Sequence, residues 1–148
     1  MTKFISTKTV SAGISIIVML FVLLGFWWSF APDTFNVRKN AQEMAAQKGH
    51  QMVTGYTTTS TLIKVTEMML YKKGGYITND VLPPGIFMDN IPAWEFGVLE
   101  MSRDLALSMR KDFSRSQSQS LESPQLVQAQ PYYNNDSNRW ILPSSESR

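Results

Sequence analysis

Residues 10–30 of this chain read VSAGISIIVMLFVLLGFWWSF, and no ionisable side chain occurs between Thr9 and Pro32. Only Ser11, Ser15 and Ser29 interrupt the run with polar groups. As a helix rising about 1.5 Å per residue, such a run spans roughly 31 Å, close to the hydrocarbon thickness of a bilayer. In lipid the backbone amides must be satisfied inside the segment, which a helix does by itself. Trp27 and Trp28 close the run where indoles favour the lipid–water boundary, and Pro32-Asp33 is expected to stop the helix. Gly13 and Gly25 are too far apart for a GxxxG seam, so no helix pair is expected from them. Three readings compete. A cleaved signal peptide would use Lys3 and Lys8 as its basic start and Ser29-Phe30-Ala31 as a small-x-small site. Against it, the run is long and Pro32 would follow the cut. A buried core helix rarely runs this far without one polar face. The sequence favours a transmembrane anchor over residues 10–31.

Charge supports the same division. The 14 basic and 12 acidic side chains leave +2, and Lys3 and Lys8 account for all of it. Residues 32–148 are neutral, which leaves no electrostatic footprint for nucleic acid. Lys8 abuts the apolar run, whereas on the other side Asp33 comes first and Arg38, Lys39 and Lys48 follow further off. That asymmetry puts residues 1–9 in the cytoplasm and the remainder outside. The absence of cysteine excludes disulfide frameworks, thiolate nucleophiles and cysteine-ligated zinc or iron–sulfur sites. With His50 as the one histidine, no metal site and no cofactor is expected.

Beyond the apolar run the pattern is that of a mainly α protein: a small helical extramembrane domain with an irregular Pro/Gly loop and a low-complexity C-terminal part. Residues 32–55 read as a polar helical spacer, helical over 36–49 with Gly49 as its stop. Residues 56–113 form the expected core. Leu62, Val65 and Met69 give one apolar stripe over 60–73, where Lys72 and Lys73 complement the helix dipole before Gly74-Gly75. Trp94, Val98, Met101, Leu105 and Met109 give another over 91–113, capped by Asp89 or Asn90 with Pro92 in the first turn. The two stripes suit an antiparallel helix pair. Between them, residues 76–92 (YITNDVLPPGIFMDNIP) are apolar yet turn-rich, with Pro83-Pro84-Gly85 forcing a bend, and are expected to pack down over the core. Residues 114–148 read as a flexible serine- and glutamine-rich linker, a short helix from Ser123-Pro124 through Gln130, and a docking segment around Tyr132, Tyr133, Trp140, Ile141 and Leu142.

No catalytic constellation stands out. Asp89 and Glu95 near Trp94, with Glu67 on the neighbouring helix, are the one carboxylate group that suits general acid–base chemistry. Helix capping and the helix dipole explain Asp89 and Glu95 equally well. A serine nucleophile would have only His50 as its base, and His50 sits in a polar stretch. Arg103, Arg110, Lys111 and Arg115, offset by Asp104 and Asp112, form a local basic excess that suits either a solvated helix end or an anionic lipid or partner. Asn135-Asp136-Ser137 matches a glycosylation sequon of the kind frequent by chance. The candidate interaction residues are therefore Pro83, Pro84, Phe87, Asp89, Trp94, Glu95, Arg110 and Lys111, with Trp27 and Trp28 as membrane anchors.

The blocks QMVTGYTTTSTL, KKGGYITNDVLPPGIFMDNIPAWEFGVL, MRKDFSRSQSQS and NRWILPSSES together resemble an uncharacterised family of proteobacterial membrane proteins, domain of unknown function 2333. The resemblance implies a single-span inner-membrane protein with a mainly helical periplasmic domain. It also implies that the family pattern runs on past Arg148 into a further helical region. It carries no catalytic residues. The expectation is a membrane-anchored envelope protein that acts as a scaffold for an unknown protein partner, with the bilayer engaged through residues 10–31. The alternatives are a periplasmic small-ligand or hydrolytic site on residues 76–96, or an anionic-lipid-associated module.

Overall fold

The computed structural model describes residues 6–113 and 121–134, and among these the chain is helical without a strand. Ser6 opens helix α1 (Thr7–Trp28) by accepting the Lys8 amide on its hydroxyl. The apolar side chains that follow surround the axis, so the helix has no single face to turn inwards, and none of its residues is buried. With 22 residues, and a mean hydropathy of 2.4 over an 18-residue stretch of it, α1 is long and apolar enough to cross a membrane. It ends before the proline that was expected to stop it. Ser29 takes the Gly25 carbonyl with both its N–H (3.0 Å) and its hydroxyl (2.8 Å), and the helix closes there.

Helix α2 (Val37–Lys48) starts on Asn36, whose side chain accepts the Lys39 amide at 2.9 Å, and stops at Gly49 in the left-handed region, φ 64°. This stretch reads as a spacer, yet α2 also packs. Ala41 is 0 % exposed and Ala45 is buried, since methyl side chains let the backbone approach helix α3 (Tyr56–Tyr71). Asn40 Nδ2 reaches the Ser60 carbonyl across the contact at 3.4 Å. The long polar residues face outwards, where Lys39 and Glu43 pair at 3.7 Å.

In α3 the hydroxyls of Thr59, Thr61 and Thr66 return to carbonyls four residues back, so a hydroxyl-rich helix satisfies itself. Leu62 and Met69 turn inwards, and α3 packs against helix α4 (Asn90–Ser108). The core is Met69, Tyr76 and Leu99, backed by Leu70, Trp94 and Val98.

The buried face of α4 is not the one the sequence points to. Ile91, Glu95, Leu99, Ser102 and Ala106 are inside, each one residue beyond a member of the stripe Trp94, Val98, Met101 and Leu105 or one turn before it. A one-residue step turns a helix by about 100°. Trp94 and Val98 become half-buried flanks, and Met101 is left 72 % exposed. After α4 a π-helical turn (Met109–Phe113) follows, and helix α5 (Pro124–Ala129) leads into a 3₁₀ turn, Gln130–Tyr133. Arg103 Nε donates to the Tyr133 carbonyl at 3.3 Å and seats that turn on α4. Arg115, Asn135–Ser137, Trp140, Ile141 and Leu142 lie outside the described residues.

Candidate functional site

The rotation of α4 is explained by one carboxylate. Glu95 is 0 % exposed, and its Oε2 accepts from the Ile77 N–H (2.9 Å), the Thr78 N–H (2.8 Å) and the Thr78 hydroxyl (2.6 Å). The same hydroxyl lies 3.0 Å from the Pro92 carbonyl, so both ends of the segment between α3 and α4 meet at Thr78. The other oxygen, Oε1, sits 2.5 Å from Lys72 Nζ. Lys72 is the residue that ends α3. Its extended ψ of 170° turns the chain off the helix axis, and its side chain, 2 % exposed, folds inwards to reach Glu95 and the Gly75 carbonyl (2.6 Å). Lys72 therefore does not complement the helix dipole from the surface, as the sequence suggests; it neutralises a buried acid. A buried charge needs a partner and further hydrogen bonds, and this pair has both.

This arrangement decides what Glu95 can do. A general acid or base must reach a substrate proton, and Glu95 is closed off by protein on every side with its oxygens engaged. Asp89 is not beside it in a cleft: it is exposed and its Oδ1 accepts the Asn90 amide at 2.7 Å as the cap of α4. Trp94 backs the core. Glu67 pairs with Lys64 at 4.0 Å on the surface, and His50 Nδ1 lies 3.5 Å from the Tyr56 hydroxyl at an exposed site. Among the described residues, no group of three His, Asp or Glu side chains gathers for a metal.

The loop prolines are elsewhere. Pro83, Pro84 and Phe87 face α1, across a cavity of about 360 Å³ that Val18, Val22 and Gly25 also line. The two approach closely at Gly25, where a Cβ would stand 3.2 Å from Pro84 Cβ. Residues 76–92 are thus divided: Tyr76, Ile77 and Asn79 are buried in the core, whereas Val81, Leu82, Ile86 and Phe87 are exposed. Trp28 packs on the Gly74 backbone so tightly that a Cβ there would lie 2.8 Å from the indole, and Lys73 Nζ stands 4.7 Å above the Phe30 ring. Trp27 stays exposed.

The basic cluster is split rather than focused. Arg103 pairs with Glu100, and Arg110 binds Glu122 at 2.7 Å through Nε and Gln130 at 3.2 Å through Nη1. Lys111 is exposed. What the sequence conceals is an apolar groove of about 440 Å³ between α3 and α4, lined by Leu62, Val65, Trp94, Val98, Met101 and Leu105. It follows from the rotated α4, since the unburied half of the apolar stripe now borders an opening. One signal was available: a glutamate flanked at i−4 and i+4 by Ile91 and Leu99 is on an apolar face.

These features define a mainly helical protein in which a small helical body touches the end of one N-terminal helix long enough for a bilayer. Over residues 2–148 the chain matches, and belongs to, the family domain of unknown function 2333, described as an uncharacterized protein conserved in bacteria. No curated protein and no solved structure matches it.

Proposed function

We propose that this is a single-pass envelope protein of the bacterial inner membrane, with residues 1–9 in the cytoplasm and the helical body in the periplasm, acting as a non-enzymatic scaffold for another protein. The observation that carries the anchor over a cleaved leader is the grip on the end of α1. Trp28 on Gly74, Pro84 on Gly25 and Lys73 over Phe30 are contacts between the body and residues that a leader peptidase would separate from it. Tethering raises the local concentration of a binding surface without new contacts, which suits a scaffold. Pro83, Pro84 and Phe87 are turned to α1, so the surface left for a partner protein is the groove beside Met101. The hydrolytic alternative on residues 76–96 is disfavoured because Glu95 is sealed. The anionic-lipid alternative is disfavoured because Glu100 and Glu122 take two of its cations.

The test follows both ends of the chain in bacterial membranes. An N-terminal tag and the body are expected to stay on one polypeptide in the membrane pellet through alkaline carbonate extraction, with the body cleaved by protease added to the periplasmic side. A soluble product whose first residue is Pro32 would overturn the anchor. For the scaffold, a photo-cross-linker at Met101 is expected to give one discrete adduct that Val65→Asp abolishes and that a cross-linker at Glu43 does not give. Equal labelling from both positions would sink it.

A further inference from the structure

We infer that residues 81–88 are a second membrane-contacting element, a wedge that lies among the lipid acyl chains beside α1. The inference rests on the anchor reading above. If α1 spans the bilayer, Trp27 and Trp28 mark one boundary, and positions earlier in the helix lie progressively deeper. Pro84 meets Gly25, one turn inside that boundary. The cavity shared by α1 and the loop continues to Val18, ten residues or about 15 Å from Trp28 at the helical rise, half the hydrocarbon thickness. A loop on that stretch of α1 cannot be in water.

Its chemistry fits the place. The sequence VLPPGIFM contains no charge, and of the two aspartates that bracket it Asp80 folds its carboxylate against the buried Gly85, on the inner side of the loop. Leu82, Ile86 and Phe87 are exposed, Phe87 to 81 % although it borders the cavity beside α1. Such exposure continues the unburied apolar surface of α1, so one solvent covers both. Much of the backbone from Pro83 to Met88 is also suited to lipid, where an unmet N–H is costly. Pro83 and Pro84 have no N–H, while the amides of Ile86, Phe87 and Met88 bond to the carbonyls of Leu82, Pro84 and Gly85 at 3.2, 3.0 and 2.9 Å. Lys73, above Phe30, stands at the headgroup level where a cation belongs. The body therefore sits flush on the bilayer.

The chain has no cysteine, so single cysteines can be labelled with an environment-sensitive fluorophore in the full chain reconstituted into phosphatidylcholine–phosphatidylglycerol vesicles carrying acyl-chain nitroxides. Phe87→Cys and Leu82→Cys, both at exposed positions, report the loop. Val22→Cys reports α1 and Glu43→Cys the body. Quenching at Phe87 and Leu82 comparable with that at Val22, with Glu43 unquenched, is the expected result. Quenching at Val22 alone overturns the wedge and leaves the anchor standing, as does quenching of the loop by headgroup nitroxides only. No quenching at Val22 overturns the anchor and the wedge with it.

Discussion

The two halves of the segment between α3 and α4 are adjacent in sequence and are held by opposite means. Residues 76–80 are tied to α4 by Glu95, through two backbone amides and a hydroxyl, with Lys72 balancing the charge. Residues 81–88 are held by short local hydrogen bonds, by Gly85 packing on the Asp80 side chain and by apolar contact with α1. The inner half is fixed by directional bonds that specify one geometry. The outer half is fixed by surface, and its position depends on what surrounds α1. A connection of this kind separates two jobs: closing the helix pair, and presenting apolar residues next to the anchor.

The largest effect should come from breaking the inner half. Glu95→Ala leaves Lys72 buried without a counter-charge and two amides without an acceptor, which costs about 3–5 kcal/mol. Full-length protein in detergent is expected to become cleavable by trypsin after Lys72, at a rate raised roughly 100-fold or more if opening limits cleavage. An unchanged rate would mean that Glu95 does not hold the segment. Replacing Lys72 and Glu95 together by apolar residues removes that cleavage site, so it is read by thermal unfolding, which should stay below the wild-type midpoint because Ile77 and Thr78 would still lack their acceptor.

A smaller effect tests the attachment to α1. Gly74 combines a φ of 85° with the Trp28 ring against its backbone, whereas Gly49, at φ 64°, has open space where a Cβ would go. Both substitutions by alanine strain the backbone, by about 1–3 kcal/mol. Only Gly74→Ala also displaces Trp28. Thermal unfolding should therefore fall further for Gly74→Ala than for Gly49→Ala, and Trp28→Ala should shrink that gap. Equal losses would show that the indole contact contributes nothing to holding the body on α1. Thr78→Val is expected to fall in the same range or below it, about 1–2 kcal/mol, because it removes one donor to Glu95 and keeps the shape.

What was legible in the sequence is what local chemistry decides. Asn36 and Gly49 bracket α2, Asp89 caps α4, and the charge-free run gives α1, all within a turn of the residue that signals them. What was not legible depends on partners distant in sequence. The apolar stripe of α4 points one residue away from the observed face because hydropathy ranks a glutamate as outward, and only Lys72 and the amides of residues 77 and 78 make it an inward one. Ala41 looks like a spacer residue until α3, which the neighbouring Asn40 reaches at the Ser60 carbonyl, supplies a surface for α2 to pack on. Lys72 and Lys73 are neighbours of the same type, and the turn at the end of α3 alone decides that the first is buried and the second lies over Phe30.

The same logic predicts the smallest effect, at the other end of α4. Arg110 and Glu122 are at 2.7 Å, as well formed as the Lys72–Glu95 pair by distance, but both side chains keep about a quarter of their surface in water. Water supplies most of what the partner supplies, so such pairs contribute about 0.2–1 kcal/mol. Arg110→Ala should therefore barely change thermal unfolding, and its effect should shrink further in high salt, where screening weakens exposed pairs. The cost of Glu95→Ala should be nearly salt-independent, because counter-ions cannot enter a fully enclosed site. If raising the salt concentration changed both variants alike, the contrast between an enclosed and an open ion pair would fail, and with it the account of why α4 turns Glu95 inwards.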